Sequence, residues 1–260
     1  MKIITWNINS IRLRSDLIFK LLEEEEPDIL CLQECKSPSE EMPFEKFKPL
    51  GYFHCFCWGQ KSYNGVALIS KVPLENVHNI DFMESHQARH ISATTKSGLT
   101  IHNFYFPAGG DVPDRTANEK FGFKLDYIKE VEKFFKTQTI SKSFLVGDLN
   151  IAPRENDVWN HQQLLKVVSH TPIEVESLLS LANSGPWIDI FGRRPLSEKL
   201  FSWWSYRSRD WKMSNKGRRL DHIWITGDLL DQLGNCYILE EIRGWMRPSD
   251  HAPVVAELNL

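Results

Sequence analysis

Near its C-terminal end the sequence reads Pro248-Ser249-Asp250-His251-Ala252-Pro253, and the strand-like run Val254–Leu258 follows at once. A carboxylate and an imidazole therefore stand at the mouth of a strand. Three other apolar runs also end in polar side chains, and these are Asn7 with Asn9, Gln33 with Glu34, and Asp148 with Asn150. Four apolar runs that end in acidic, amide or imidazole groups predict one site, assembled where several strands of a sheet structure terminate.

Many other segments have the composition of short strands, because they are rich in β-branched and aromatic residues and are bounded by Gly, Pro, Asn or Asp. The predicted strands are residues 2–8, 28–33, 52–57, 65–70, 91–95, 100–106, 144–147, 201–205, 220–226, 236–239 and 254–258. Apolar residues at helical spacing predict helices at 11–26, 117–137 and 174–182. These strands are too many for one ordinary sheet, and the helices are too few for an alternating barrel. The sequence therefore predicts an α/β fold of two packed sheets with helices outside, in a single domain spanning residues 1–260.

The composition is that of a globular protein, with 42% hydrophobic residues among 260 and a formal net charge of −3. This charge excludes a domain-wide basic surface, so a surface for nucleic acid must be local. Five cysteines, an odd number, favour a reducing compartment over a disulfide framework, and their spacings do not match the usual zinc pairs. Because we find neither a signal-like apolar core nor a membrane-length apolar run, we expect a cytoplasmic protein with no membrane partner.

The polar residues at the strand ends are those that phosphodiester hydrolysis requires. The reaction needs a hard divalent cation on oxygen ligands, a base for the attacking water and rigid donors for the phosphate. Glu34 is the natural ligand for Mg²⁺, or for Mn²⁺ in its place, while Asp148 or His251 can accept a proton. Asp221 precedes another strand, where its carboxylate would fix the tautomer of His251. Each residue alone is more simply explained as a cap or turn former, and only the combination predicts a site.

Amide and phenol groups complete the predicted site. Asn7 and Asn9 lie two residues apart, as do Asp148 and Asn150, so each pair can face one side of its strand end. Tyr105 supplies a phenol near a further strand end.

The segment from residue 203 to residue 219 is the predicted surface for DNA. It interleaves aromatic with basic residues, and these are Trp203, Trp204, Tyr206, Arg207, Arg209, Trp211, Lys212, Lys216, Arg218 and Arg219. Basic side chains bind phosphates, while aromatic faces stack on bases or line a pocket for a flipped sugar, for which Trp203 is the best candidate. An aromatic-rich sheet edge is the structural alternative. Trp245 is predicted to add a contact by insertion near a nick, and Asp189 is predicted to be structural.

Several motifs follow one another along nearly the whole chain, and they are Trp6-Asn7-Ile8-Asn9-Ser10, Leu32-Gln33-Glu34, Asn64-Gly65-Val66-Ala67, Tyr105-Phe106-Pro107, Gly147-Asp148-Leu149-Asn150, residues 201–208, Arg219-Leu220-Asp221 and Ser249-Asp250-His251. In their order and number they resemble the exonuclease III-type AP endonucleases, within the endonuclease/exonuclease/phosphatase superfamily that includes DNase I. The resemblance implies a four-layered α/β sandwich, in which helices flank two packed mixed sheets.

The resemblance also implies a role for each residue whose motif matches. These roles are metal binding for Glu34, Asn9 and Asp250, phosphate binding for Asn7, Asn150 and His251, support of His251 for Asp221, activation of water for Asp148, and a phosphate or leaving-group contact for Tyr105. The sequence leaves open whether Asp148 or His251 accepts the proton. We favour Asp148, because an imidazolium held by Asp221 suits a negatively charged transition state.

Three positions depart from the family pattern. Some relatives carry Asp where this chain has Asn9, which would weaken one metal interaction, and Ala108 stands where a longer amide is common. His170 stands where relatives often carry a small residue, in a loop that the resemblance places beside the DNA groove. We expect the imidazole to obstruct intact duplex and to contact a strand end, which would favour 3′-end processing. An exposed loop histidine without consequence is the alternative.

The leading hypothesis is a Mg²⁺-dependent DNA repair nuclease that leaves 3′-hydroxyl and 5′-phosphate ends. Its expected partner is duplex DNA that is nicked, contains abasic sites or has blocked 3′ ends. Within this hypothesis, 3′–5′ exonuclease and 3′-phosphodiesterase activity compete with abasic-site endonuclease activity. A phosphoesterase for small or lipid phosphates is a more distant alternative, and an inactive nucleic-acid binder is a third. No amphipathic stripe is left over for a dimer, so we expect a monomer.

Overall fold

The computed structural model describes residues 1–208 and 210–259. The strands are β1 (Lys2–Asn7), β2 (Ile29–Gln33), β3 (His54–Trp58), β4 (Val66–Ser70), β5 (Leu74–His78), β6 (His90–Thr95), β7 (Thr100–Tyr105), β8 (Ser143–Asp148), β9 (Trp187–Asp189), β10 (Trp203–Trp204), β11 (Gly217–Arg218), β12 (Asp221–Thr226), β13 (Leu233–Ile238) and β14 (Val254–Leu258). The helices are α1 (Ser15–Glu25), α2 (Glu119–Lys136), α3 (His161–Leu164), α4 (Pro172–Asn183) and α5 (Trp211–Ser214), with short 3-10 turns between elements.

Two six-stranded sheets form the centre of the fold. The first has the order β13-β14-β1-β2-β4-β3, and the second has the order β5-β6-β7-β8-β12-β9. Both sheets are mixed, because β1 with β2 and β7 with β8 run parallel while the other pairs run antiparallel. The predicted pair of packed mixed sheets is confirmed.

Buried clusters on each side of both sheets define four layers. Ile3 and Val146 belong to the cluster between the sheets. On the outer face of the first sheet, Ile4 packs with Ile18 of α1. On the outer face of the second sheet, α2 and α4 pack against aromatic and aliphatic side chains that include Phe104. Central strands buried on both faces explain the continuous apolar runs of the sequence.

A pair of buried amides joins the two sheets. Gln33 of β2 donates from Nε2 to Oδ1 of Asn103 on β7 at 2.7 Å and to Thr5 Oγ1 at 2.8 Å. Asn103 in turn donates from Nδ2 to the backbone carbonyls of Leu32 and Ala67, both at 3.0 Å. Because hydrogen bonds depend on distance and angle, these contacts fix the alignment of one sheet on the other.

Some predicted elements differ from the observed ones. Three short strands, β5, β9 and β11, were not predicted, and β10 is shorter than the predicted strand at 201–205. β5 reads Leu-Glu-Asn-Val-His and lies at a sheet edge, where one exposed face removes the apolar signal. The first helix begins at Ser15 and not at residue 11, because Arg14 has φ −119° and ψ 21°, outside the helical region. No helix within residues 1–208 and 210–259 combines the length and apolar character needed to cross a bilayer.

A buried histidine pair on the outer face of the second sheet makes the stability of the fold depend on pH. Nε2 of His90 lies 3.2 Å from Nδ1 of His102, and both rings pack against Phe104. Burial lowers the pKa of His102 from 6.5 to about 4, and burial together with His102 lowers the pKa of His90 well below 6.5. The unfolded chain therefore binds protons in a pH range where the folded chain does not.

We expect the free energy of unfolding to decrease as the pH falls from about 6.5 to about 4. Allowing for the partial exposure of His102, this residue accounts for on the order of 2–3 kcal/mol of that decrease. Denaturant titrations at a series of pH values should show a shallower acid slope for His102→Phe than for the wild type. His78→Gln, at an exposed position of β5, should keep the wild-type slope, and an unchanged slope in His102→Phe would contradict the assignment.

Candidate active site

A cavity of about 600 Å³ opens where strands of both sheets end. Glu34 follows β2, Asn150 follows β8, and Asp250 with His251 precedes β14, and all four line the cavity. Glu34 and Asn150 have φ values of 51° and 54°, so the chain turns sharply after each strand. Three of the four strand ends predicted to form one site therefore meet at this cavity.

Asn7 connects a carboxylate of one sheet to a carboxylate of the other. Its Nδ2 donates to Glu34 Oε1 at 2.9 Å and to Asp148 Oδ2 at 2.8 Å. Both hydrogens of the amide are thereby used, and the two carboxylates are held at a fixed separation. We call the hydrogen-bonded line Glu34–Asn7–Asp148 the carboxylate bridge.

The Glu34 end of the carboxylate bridge carries an all-oxygen donor set. Asn9 donates from Nδ2 to Asp250 Oδ1 at 3.0 Å, and the Lys36 ammonium lies 2.7 Å from both Asn9 Oδ1 and Glu34 Oε2. Burial opposes ionisation of Glu34, but Lys36 and the amide of Asn7 outweigh it and hold the pKa of Glu34 below its usual range. The carboxylates of Glu34 and Asp250 and the amide oxygen of Asn9, linked through Lys36 and the Asn9 amide, are ligands that fit a hard divalent cation.

His251 is held by Asp221 and faces Asp148. Its Nδ1 donates to Asp221 Oδ2 at 2.8 Å, and Ser202 Oγ donates to the same oxygen at 2.6 Å. Its Nε2 lies 3.8 Å from Asp148 Oδ2. Burial disfavours the charged ring, but Asp221 and then Asp148 outweigh burial and raise the pKa of His251 to about 10. Ligand atoms of these three residues lie close enough to hold a metal, yet a protonated imidazole has no lone pair for one.

Asp148 is an almost fully buried carboxylate in a ring of donors. Its strand pairs with β12 so that Asp148 stands opposite Asp221, and Asn150 donates its backbone NH to Asp148 Oδ1 at 2.9 Å. Burial raises the pKa of Asp148 to about 7, with Asp221 adding to the shift and His251 opposing it. A carboxylate poised near neutral pH is suited to take a proton from water.

Two cationic side chains, Lys124 and Arg89, donate to backbone carbonyls of site residues. Lys124 of α2 donates to the backbone carbonyl of Asn150 at 2.8 Å and forms a fully buried ion pair with Glu174 at 2.5 Å. Arg89 lies 4.9 Å from the ring centre of Tyr105 and donates to its carbonyl at 3.2 Å. Burial raises the pKa of Tyr105 well above 10, with nearby Glu34 adding to the shift, so the phenol remains a proton donor.

The predicted DNA-facing residues Trp203, Arg207 and Arg218 line the same cavity. Trp203 donates from Nε1 to Asp250 Oδ2 at 3.0 Å, and the Arg218 guanidinium lies 5.3 Å from its ring centre. Arg218 also donates to Ser169 Oγ at 2.7 Å. Arg209, which was predicted to belong to this surface, lies outside the described residues.

The exposed position predicted for His170 is wrong, while the expected preference for 3′ ends stays a prediction. The residue is only 2% exposed, so it neither obstructs the groove nor stands free on a loop. Its Nδ1 lies 2.6 Å from the carbonyl oxygen of Ala152, and its Nε2 lies 2.8 Å from Nδ1 of His161. Ala152 and His161, which lie 18 and 9 residues before His170, hold the ring in the protein interior by these contacts.

Trp245 is half-buried and lies outside the lining of this cavity. It packs beside the outer cluster of the first sheet, and the Lys20 ammonium stands 4.2 Å from its ring centre. Asp189 receives Arg219 at 2.8 Å in a buried ion-pair network, which agrees with the structural role predicted for it.

Sequence reasoning missed four residues that the structure brings to the site. Lys36 stands two positions after Glu34 in the sequence and forms an ion pair with it. Arg89 contacts the ring of Tyr105. Lys124 belongs to a predicted helix, where a lysine ordinarily indicates the exposed face. Trp159 lines the cavity from a segment without any periodic pattern.

Comparison with known proteins agrees with this geometry. Residues 4–251 match the model of the endonuclease/exonuclease/phosphatase family. The chain is 32% identical to exodeoxyribonuclease III of Haemophilus influenzae over 277 residues, covering 99% of each chain. It is 28% identical to an exodeoxyribonuclease of Bacillus subtilis, with full coverage of both.

Solved structures give the same result. A 3′-5′ exonuclease from Neisseria meningitidis superposes with a TM-score of 0.92 at 31% identity, and an AP endonuclease from Archaeoglobus fulgidus with 0.93 at 29%. Each comparison covers 100% of both chains. A 3′ phosphatase from Neisseria bound to a product DNA hairpin also matches, with a TM-score of 0.92 at 31% identity. The chain therefore belongs to the endonuclease/exonuclease/phosphatase family, as a member of its exonuclease III type.

Proposed function

We propose that this chain is a divalent-metal-dependent DNA repair nuclease that acts at 3′ ends and 5′ to abasic sites, leaving 3′-hydroxyl and 5′-phosphate ends. The observation that carries the proposal is the carboxylate bridge with the His251–Asp221 pair beside it, at one end of an aromatic and basic cavity. The activities named for the relatives, which are exonuclease, 3′ phosphatase and AP endonuclease, support the same chemistry.

Glu34, with Asn9 and Asp250, would hold Mg²⁺ or Mn²⁺ in this proposal. When bound, the cation neutralises charge that develops on the phosphoryl oxygens. Lys36 lies against Glu34 and Asn9 and would lose those contacts to a cation, which leaves its ammonium free for a phosphate of the DNA backbone. Oxygen ligands do not distinguish the two ions by chemistry, so the preference between them depends on site size and ligand number.

The remaining roles, which are proton transfer and binding of the phosphate, belong to side chains of the protein. Asp148 takes a proton from the attacking water, and the amides of Asn7 and Asn150 keep its carboxylate oriented. The charged ring of His251 donates from Nε2 to a phosphoryl oxygen, because Asp221 already holds its other nitrogen. Tyr105 donates its phenol proton toward the phosphate or the leaving oxygen. These donors are fixed before substrate binds, which is the arrangement that lowers barriers most effectively.

The aromatic and basic wall selects DNA over smaller phosphates. Trp203, Arg207 and Arg218 would bind the nucleotide and backbone next to the cleaved bond. A site for small or lipid phosphates would not need this wall, so we rank that alternative lower. The whole chain would act as one domain, because residues from both ends of the sequence meet in a single site, and we propose that it acts as a monomer.

The buried position of His170 removes the steric reason to expect that internal incision is disfavoured. The expectation that this enzyme disfavours intact duplex depended on an imidazole in the groove, and that imidazole is absent from the cavity lining. We therefore propose that abasic-site endonuclease activity accompanies 3′-end processing.

Two labelled duplexes test the proposed function, one with an internal abasic-site analogue and one nicked with a 3′-phosphate. We expect both to be processed with Mg²⁺ or Mn²⁺, and excess EDTA to lower both rates by about 10³-fold or more. Added Mg²⁺ should restore them. DNA binding without turnover at any metal concentration would instead indicate an inactive binder, and faster hydrolysis of a lipid phosphate would favour the distant alternative.

A further inference from the structure

Besides the groups that act on the phosphate, a second tryptophan lines the cavity. Trp159 lines it together with Trp203, Val167 and Leu220, and the first three of these pack on one small apolar cluster around Leu220. With a volume of about 600 Å³ the cavity lies within the range of small-molecule pockets, about 300–1,000 Å³. A bare sugar would leave much of this space and most of the aromatic surface unused.

The backbone fixes Trp159 in this wall. Its NH donates to the carbonyl of Gly217 at 3.1 Å, and the preceding Val158 forms a bridge with Arg218. Arg218 in turn pairs with Trp203 between β10 and β11. The two tryptophans are therefore held on either side of one short strand, and their separation does not depend on a mobile loop.

One face of the Trp159 indole is covered by a cation that also lines the cavity. The Lys216 ammonium stands 4.8 Å from the ring centre and lines the same cavity. A cation in this position occupies the place that a stacked ring would take, because both are attracted to the aromatic face. Lys216 is exposed, so its side chain can move to a backbone phosphate when a ring displaces it.

We propose that Trp159 is a specificity-determining residue that stacks on the base of the 3′-terminal nucleotide. The inference rests on the proposed function and extends it, because it makes an intact nucleotide a preferred substrate at a 3′ end. In the reaction, the water oxygen forms a bond to phosphorus and the bond from phosphorus to the 3′ oxygen of the penultimate nucleotide breaks. That oxygen gains a proton, and a deoxynucleoside 5′-monophosphate leaves with its base against Trp159.

The test compares two activities within each variant. One duplex has a recessed 3′ end with a normal nucleotide, and the other is the same duplex with a 3′-phosphate, which places no base in the pocket. Trp159→Ala should lower kcat/KM for removal of the nucleotide by about 5- to 150-fold, the range found for loss of one base stack. It should leave removal of the phosphate within about threefold, and Trp159→Phe should retain most of both. A ratio of two activities is insensitive to the fraction of folded protein.

The control is Trp58→Ala, which removes a half-buried tryptophan of β3 outside this cavity and should leave the ratio unchanged. A second measurement uses 2-aminopurine at the 3′ terminus, whose fluorescence should be quenched on binding to Asp148→Asn and less quenched when Trp159→Ala is added. An equal loss of both activities, or an unchanged ratio, would overturn the role of Trp159. Failure of the wild type on both duplexes would overturn the proposed function itself.

Discussion

Asp148→Asn is expected to lower kcat for both 3′-end processing and abasic-site incision by about 10²–10⁴-fold, the usual contribution of a positioned general base. Asparagine has nearly the same shape, and its oxygen can still accept from Asn7 and Asn150 at the present distances of 2.8 and 3.1 Å. The change therefore removes proton acceptance and leaves the volume unchanged, although the new NH2 takes the place of Oδ1 and loses the bond from the backbone NH of Asn150. Single-turnover cleavage of an end-labelled duplex measures the effect directly, and DNA affinity should change little.

The pH profile gives an independent check on Asp148. Only the ionised carboxylate can accept a proton, so the rate should rise as the pH increases toward the pKa of Asp148, which burial raises to about 7. A bound cation near Glu34 would favour ionisation and move the rising limb to lower pH. Asp111→Asn removes an exposed carboxylate from the same cavity and should keep the wild-type rate within about threefold. A loss below tenfold in Asp148→Asn would assign the base elsewhere, with His251 as the remaining candidate.

His251→Gln is expected to lower kcat by about 10²–10³-fold, as for loss of one fixed donor to a charged transition state. Glutamine offers a neutral NH2, whereas the imidazolium held at 2.8 Å by Asp221 offers a charged N–H. Because the charge matters most when the phosphate becomes more negative, kcat should fall more than KM rises. Rates with and without the change should be compared at pH 7, below the raised pKa of His251.

Asp221→Asn tests the charge of the His251 ring without removing the ring itself. The variant keeps the ring but removes the carboxylate that raises its pKa, so the imidazole should lose its proton at lower pH and the falling limb of the rate profile should move the same way. His54→Gln, on β3 and away from the cavity, is the matched control for the loss of an imidazole. A rate for His251→Gln within tenfold of the wild type would contradict a role in binding the phosphate.

The fold and the main site groups were accessible from the sequence because central strands leave an unambiguous pattern. β2 and β8 are buried on both faces, so each reads as an apolar run, and the polar side chains at its carboxyl end mark the site. Glu34 and Asp148 stand at those positions. Edge strands such as β5 carry no such pattern, because one face is exposed to solvent.

Residues whose roles depend on distant partners were not accessible in the same way. His170 looked like a loop residue, and only its contacts with Ala152 and His161 explain its burial. Lys124 is a residue type that usually occupies an exposed helical position, yet its ammonium is fully buried against Glu174. In both cases a polar side chain is buried because a buried polar partner forms a hydrogen bond or an ion pair with it. The spacing of residues in the sequence does not indicate such a pairing.

The buried amides of Gln33 and Asn103 have a consequence for how this protein can change over time. Apolar side chains between the sheets can be exchanged for others of similar volume at modest cost, because their attraction has no direction. The two amides have no such freedom, since they bond across the sheets at 2.7 Å and hold backbone carbonyls as well. Gln33 is directly followed by Glu34, while Asn103 lies on the strand that pairs with β8 and Asp148. Substitutions among the apolar core residues are therefore compatible with activity as long as Gln33 and Asn103 are retained. Loss of this amide pair would first lower activity, because Glu34 and Asp148 would no longer be held in alignment.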